Sequence, residues 1–143
     1  MIQVMIADDN LDLNSLCCNI LSKDKDIQII SSTLDGESTL KDYMQLKPDV
    51  LLLDLDLPKM NGIDIINNIC LDESERKKNN VIIVSGNADL RYNLFNTSKI
   101  FRIMPKPVNF DDVISTIKEI VTDNSYIPIV EKELRNFLFS LNF

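Results

Sequence analysis

Val50-Leu51-Leu52-Leu53-Asp54-Leu55-Asp56 sets the fold class of this chain. Four aliphatic residues in a row, without polar alternation, suit a strand buried on both faces, the environment of a parallel sheet covered by helices. The run then stops on a carboxylate. The same rhythm recurs outward in both directions. Ile2 to Ala7 is another apolar run, ended by Asp8-Asp9, and Ile27 to Ser32, Val81 to Val84 and Ile100 to Met104 complete five strand candidates. Helical spacing fills the gaps: Leu11 to Leu21, a segment opened by Asp35-Gly36 and closed before Pro48, Gly62 to Leu71, a weaker stretch from Leu90 to Thr97, and Phe110 to Val121 after a break at Pro107. Residues 72–80 read as a polar loop. Strands alternating with helices predict right-handed crossovers and a doubly wound α/β sandwich with a parallel sheet.

In such a sheet, ligands bind beyond the carboxyl ends of the strands. Asp8 and Asp9 follow the first strand, Asp54 the third, Ser85 the fourth and Lys106 the fifth. A lone Asp in such a place is ordinarily a helix cap, and Asp8 or Asp9 can cap the first helix. Three carboxylates at one edge are another matter, because like charges so close need a counter-charge, and a hard cation supplies it. Mg²⁺ fits, since it binds through carboxylates, waters and phosphate oxygens, whereas histidine and thiolate ligands for softer metals are missing here. Asp54 as nucleophile would form an acyl phosphate. Lys106 and Ser85 would bind the oxygens of the transferred group.

Composition narrows the chemistry further. With no histidine anywhere in 143 residues, His-based acid/base catalysis, Ser-His or Cys-His nucleophiles and His-ligated zinc are excluded. A formal net charge of −7 makes a poor surface for nucleic acid, so contact with DNA is expected only through an output domain outside these residues. Cys17, Cys18 and Cys70 have no C-x-x-C spacing, all fall in predicted helices, and read as small buried reduced thiols. The apolar start is too short for a signal peptide or a membrane span, which points to a cytoplasmic protein without membrane contact.

The order Asp8-Asp9, Asp54, Ser85, Lys106-Pro107, with Asp54-Leu55-Asp56-Leu57-Pro58-Lys59-Met60-Asn61-Gly62 around the central carboxylate, resembles the receiver domain of bacterial two-component response regulators. The likeness spans residues 1 to about 123. It implies a flavodoxin-like three-layer sandwich with a five-stranded sheet in the order 2-1-3-4-5. It also implies transfer of a phosphoryl group from a histidine kinase or histidine phosphotransfer protein to Asp54. Mg²⁺ would be held by Asp8, Asp9, Asp54 and the backbone carbonyl of Asp56, and Lys106-Pro107 would be cis. By the same likeness, Asp56 and Asn87 would tune the lifetime of the acyl phosphate. The fourth helix, fifth strand and last helix would form a homodimer or output face. Two departures stand out. Similar proteins carry Tyr or Phe three positions before the lysine, where this chain has Ile103; strand alternation puts Phe101 on the same face, where it can stand in as the switch aromatic. Pro105 makes Pro105-Lys106-Pro107 stiff and removes a ladder donor.

Residues 124–128 read as a break, and Val130, Leu134, Phe137, Leu138 and Leu141 then recur at helical spacing. The chain thus divides into a receiver unit, 1–123, and a C-terminal helical extension, 124–143, expected to be a linker and the start of an output domain, or a terminal helix. Leu134 to Phe143 faintly resembles the first DNA-binding helix of sporulation-type transcription regulators, which implies transcription regulation as the output. Two alternatives remain. Val50 to Asp56 also fits the strand end of haloacid-dehalogenase-like Mg²⁺ phosphatases, with Asp54 as nucleophile and Asp56 as acid. A pseudo-receiver that binds partners without carrying phosphate is the other.

Overall fold

A computed structural model describes residues 1–72, 79–86 and 97–122. Five parallel strands, β1 (Ile2–Ala7), β2 (Ile27–Thr33), β3 (Val50–Asp54), β4 (Val81–Ser85) and β5 (Ile100–Pro105), form one sheet in the order β2-β1-β3-β4-β5. Among the described residues, four α-helices join them, α1 (Leu11–Ser22), α2 (Gly36–Leu46), α3 (Gly62–Ile69) and α4 (Phe110–Thr122), and a 3-10 turn, Thr97–Lys99, leads into β5. The doubly wound sandwich and its strand order are as expected.

Strand alternation divides the core into two layers. Met5, Ala7, Leu51, Leu53, Val81 and Ile83 pack with Tyr43 of α2 and Ile65, Ile66 and Ile69 of α3. Val4, Ile6, Val50, Leu52, Ile82 and Val84 face the other way, against Cys17 and Leu21 of α1 and Val113 and Ile117 of α4. All five residues of β3 are buried, which is why its sequence shows no polar alternation. The chain leaves β1 toward β2 on one side and returns to β3 on the other. Their adjoining carboxyl ends form the switch point where ligands of such sheets bind.

All four described α-helices begin on side-chain caps, α4 on Asn109, which accepts from Asp111 N at 2.9 Å and Asp112 N at 3.2 Å. Asn10 accepts from the backbone N–H of Leu13 at 3.1 Å, Asp35 from Ser38 at 2.8 Å and Asn61 from Asp64 at 3.0 Å. The cap of α1 is therefore Asn10, not Asp8 or Asp9, and both carboxylates are left for other work. At the other end of α2, Lys47 takes a left-handed φ of 47°, turning the chain toward Pro48.

Some boundaries differ from the sequence reading. α3 stops at Ile69, two residues short of the predicted end at Leu71, and Cys70 is its C-cap. Asp54 and Ser85 are the last residues of their strands and do not follow them. Pro105 closes β5, an edge strand, where a missing N–H is tolerated, and the next donor, Lys106 N, reaches Ser85 O at 3.1 Å. Cys17 is buried while Cys18 and Cys70 are half-buried, and none of the three thiols is in a disulfide. Asn87, most of the predicted helix 90–97, the middle of the loop 72–80 and the extension 124–143 lie outside the described residues. Among the described residues no helix is long and apolar enough to cross a membrane.

Candidate functional site

The carboxyl edge brings together the residues that the sequence places at strand ends. Asp8 follows β1 and is held at the backbone and at the side chain. Its N–H donates to Thr33 O at 3.1 Å, and its Oδ1 accepts from Asn10 N at 2.9 Å. Asp54 is buried at 4% exposure, with Oδ1 accepting from the N–H of Asp56 at 3.0 Å. Its Oδ2 accepts from Lys106 Nζ at 3.1 Å, and the same ammonium lies 3.4 Å from Asp8 Oδ2. One cationic side chain thus bridges the ends of β1, β3 and β5.

Asp9 is exposed but joins the cluster: one carboxylate oxygen each from Asp8, Asp9 and Asp54 lie within 4.8 Å of one another. Lys106 neutralises only one of the three charges. The remaining negative charge, in an all-oxygen donor set partly removed from water, is what a hard divalent cation requires. The residues fit Mg²⁺. Burial pulls the Lys106 ammonium down, but the hydrogen bond and charge of Asp54, backed by Asp8, outweigh it and raise its pKa above the ordinary lysine value. Ser85 is buried at the end of β4, and the Lys106-Pro107 peptide is cis.

The glycines near this edge are steric necessities. A Cβ on Gly62 would stand 2.8 Å from Leu55 Cα and 3.3 Å from Asp54 O, so the start of α3 packs directly on the exit of β3. A Cβ on Gly36 would overlap the carbonyl oxygen of Met60, and the Gly36 N–H donates to Pro58 O at 3.0 Å. The loop after Asp54 is thereby pinned against α2.

A cleft of about 290 Å³ opens beside the carboxylates, between α1 and the β5–α4 connection. Leu13, Cys17, Val84, Val108 and Phe110 line it, and Asp8, Asp54 and Lys106 stand at its polar end. Burial, then the neighbouring Cys18 and the charge of Asp8, push the Cys17 thiol up to about 12, so it is an inert wall.

A family model described as the response regulator receiver domain matches residues 4–118. The chain belongs to that family. It is a receiver domain of a two-component response regulator, and receiver domains are signalling switches that work with histidine kinases or phosphotransfer proteins and use Mg²⁺ at an acidic pocket. The protein-glutamate methylesterase/protein-glutamine glutaminase of Bacillus subtilis is 38% identical over 69 residues, covering 48% of this chain and 19% of that protein. The second such enzyme of Koribacter versatilis is 34% identical over 84 residues, 59% of this chain and 22% of its own. The receiver chain therefore spans about a fifth of the length of the curated relatives it matches. Among solved structures, the response regulator domain of Thermotoga maritima CheB superposes with a TM-score of 0.69 at 21% identity, covering 90% of this chain and 99% of that one. The CheX–CheY–BeF3–Mg²⁺ complex of Borrelia burgdorferi gives 0.71 at 22% identity, with 84% and 89% covered. At these identities the likeness establishes the fold.

Within this receiver, Asp8, Asp9, Asp54 and Lys106 meet, and Ser85 ends the neighbouring strand. Asp56 is exposed and contributes its N–H to Asp54. Ile103 is half-buried and packs with Ile83, opposite which it is registered. The register steps from Val81↔Ile100 to Ile82↔Arg102, so Phe101 is the extra residue of a bulge. Simple alternation therefore does not carry from Phe101 to Ile103. Phe101 is buried, with the Arg102 guanidinium 5.5 Å from its ring centroid. Asn10 and Asn14 escaped the sequence reading. For Asn14 a signal existed: Asn14, Cys17 and Leu21 are the buried residues of α1, so the amide lies on the helix's apolar stripe.

Proposed function

We propose that Asp54 accepts a phosphoryl group from a phosphohistidine of a histidine kinase or histidine phosphotransfer protein, in a Mg²⁺-dependent reaction. The observation that carries this reading is a buried Asp54 carboxylate tied to Lys106 and set beside Asp8 and Asp9. An Asp54 oxygen attacks phosphorus, the P–N bond of the donor breaks, and its electron pair returns to the imidazole, so the chain needs no histidine of its own. The carboxylates of Asp8, Asp9 and Asp54 and the backbone carbonyl of Asp56 would hold Mg²⁺, which when bound neutralises charge on the transferring oxygens. Lys106 exchanges part of its contact with Asp54 for a phosphoryl oxygen, and the Ser85 hydroxyl binds another. Asp56 and Asn87 flank the site and tune hydrolysis, while Ile103 or Phe101 registers the switch.

The acyl phosphate then shifts the balance between two conformations of the receiver and, through it, of an output domain. The segment 124–143 carries that connection, and the likeness of Leu134 to Phe143 to sporulation-type regulators favours transcription regulation in the cytoplasm. A homodimer through residues 90–97, β5 and α4 is the partner arrangement that goes with it. Arg102 of β5 already bonds Thr116 at 2.7 Å and Glu119 at 3.1 Å on that side. Incubation with acetyl phosphate and Mg²⁺, read by intact mass, tests the core of the reading. One phosphoryl group is expected on the wild type and none on Asp54→Asn or in chelator. A wild type that stays unlabelled sinks it in favour of a pseudo-receiver, and steady turnover of a small phosphomonoester would favour the phosphatase.

A further inference from the structure

We infer that Asn14 is a positioning residue for the cation crevice, its buried amide clamping the carbonyls of Asp8 and Thr33 and so setting where the Asp8 carboxylate stands. The inference rests on the reading of Asp8, Asp9 and Asp54 as the cation-holding set. Asn14 is 4% exposed and sits one turn into α1. Its Nδ2 donates to Asp8 O at 3.0 Å and to Thr33 O at 2.9 Å, and its Oδ1 accepts from Cys18 Sγ at 3.5 Å. Both amide protons are therefore spent on backbone carbonyls of two different strand ends.

The position calls for an apolar residue. It shares a stripe with Cys17 and Leu21, and an amide brought there from water is unfavourable unless its hydrogen bonds are made. Those bonds act where the sheet has run out. The pairing of β1 with β3 ends at Ala7↔Leu53 and that with β2 at Ala7↔Thr33. Asp8 lies one residue further, held by its N–H on Thr33 O and by the Asn14 amide on its carbonyl. Without the amide, the peptide that carries the Asp8 side chain loses its anchor on the α1 side. Its carboxylate then has to be organised by the cation itself. Groups that orient metal ligands in this way change metal affinity by about 10–100-fold when removed.

Asn14→Leu keeps the shape and removes the donor. Acetyl phosphate labelling is followed against Mg²⁺ concentration, alongside the rise in melting temperature that Mg²⁺ produces. The Mg²⁺ midpoint should move up about tenfold in both measurements, with the labelling rate at saturating Mg²⁺ changed by no more than about twofold. Tyr43→Phe is the comparator. It removes the buried hydroxyl that Asn80 bonds at 2.9 Å, at the amino end of the sheet and away from Asp8, Asn14 and Thr33, so its melting temperature falls while its Mg²⁺ midpoint stays put. A lower melting temperature in Asn14→Leu with an unmoved midpoint overturns the inference, because that is all a structural role predicts. If Asn14→Leu does not fold, Asn14→Ser, smaller and without the amide's reach, is read against the same two outcomes. A wild type without any Mg²⁺ response overturns the cation reading itself, together with this inference.

Discussion

Lys106 is the internal counter-ion of the crevice, and replacing it by Met should make the fold lean on an external one. At an effective dielectric of about 20, unit charges at the 3.1 Å and 3.4 Å separations of Lys106 from Asp54 and Asp8 attract by about 5 kcal/mol each before desolvation. The side chain is 26% exposed and its ammonium is desolvated to reach these partners, so screening and desolvation take back most of that. A net loss of about 1–3 kcal/mol remains, weighted toward Asp54, which at 4% exposure cannot turn to water for compensation. For a chain of this length that is a fall in melting temperature of about 3–10 °C in chelator. A divalent cation replaces the missing charge, so the gap between Lys106→Met and wild type should shrink by more than half at saturating Mg²⁺. Differential scanning calorimetry with and without Mg²⁺ reads both numbers. Equal stability of the two proteins in chelator, or a gap of the same size in both conditions, would refute the counter-ion reasoning.

Two further perturbations probe the frame around the site. Gly36→Ala gains up to about 1 kcal/mol of helix propensity, yet its Cβ would overlap the Met60 backbone. Overpacking of about 1–3 kcal/mol should win, lowering the melting temperature by several degrees; a rise would mean that the loop yields freely. Asp35→Asn keeps a capping oxygen and removes a charge. The backbone N–H of Ser38, then its hydroxyl and Lys59, hold the Asp35 carboxyl below the ordinary carboxylate range. Its folded pKa lies below the unfolded value of about 3.9, so its stabilisation is complete above that pH and is lost as pH falls through the lower folded value. Asp35→Asn should therefore melt below wild type at neutral pH, and the gap should close on acidification; a gap independent of pH would contradict it.

The parts of this molecule legible in its sequence are those where chemistry and periodicity coincide. β3 announced itself because burial on both faces allows no polar residue before Asp54. The carboxylates of β1 and β3 and the lysine after β5 could be assigned to one edge because a parallel sheet puts every strand's carboxyl end there. Side-chain hydrogen bonds made across sequence were harder to read. Asn14 looks like one more polar residue on a helix until Thr33, 19 positions away, is seen beside it. Gly36 and Met60 give no joint signal, since what links them is the absence of a Cβ. The face of Phe101 could not be read by alternation, because a one-residue bulge resets the face of every residue beyond it, and no local pattern marks where β5 slips against β4.

The capped helix starts have an electrostatic consequence. α1, α2, α3 and α4 all begin on the carboxyl side of the sheet, so the positive ends of four backbone macrodipoles, each equivalent to roughly half an elementary charge, lie along that side. An anionic donor approaching a chain of formal charge −7 thus meets it along a border whose peptide groups point their hydrogens outward. Repulsion from the molecule as a whole is softened at the edge where the proposed phosphoryl transfer would take place.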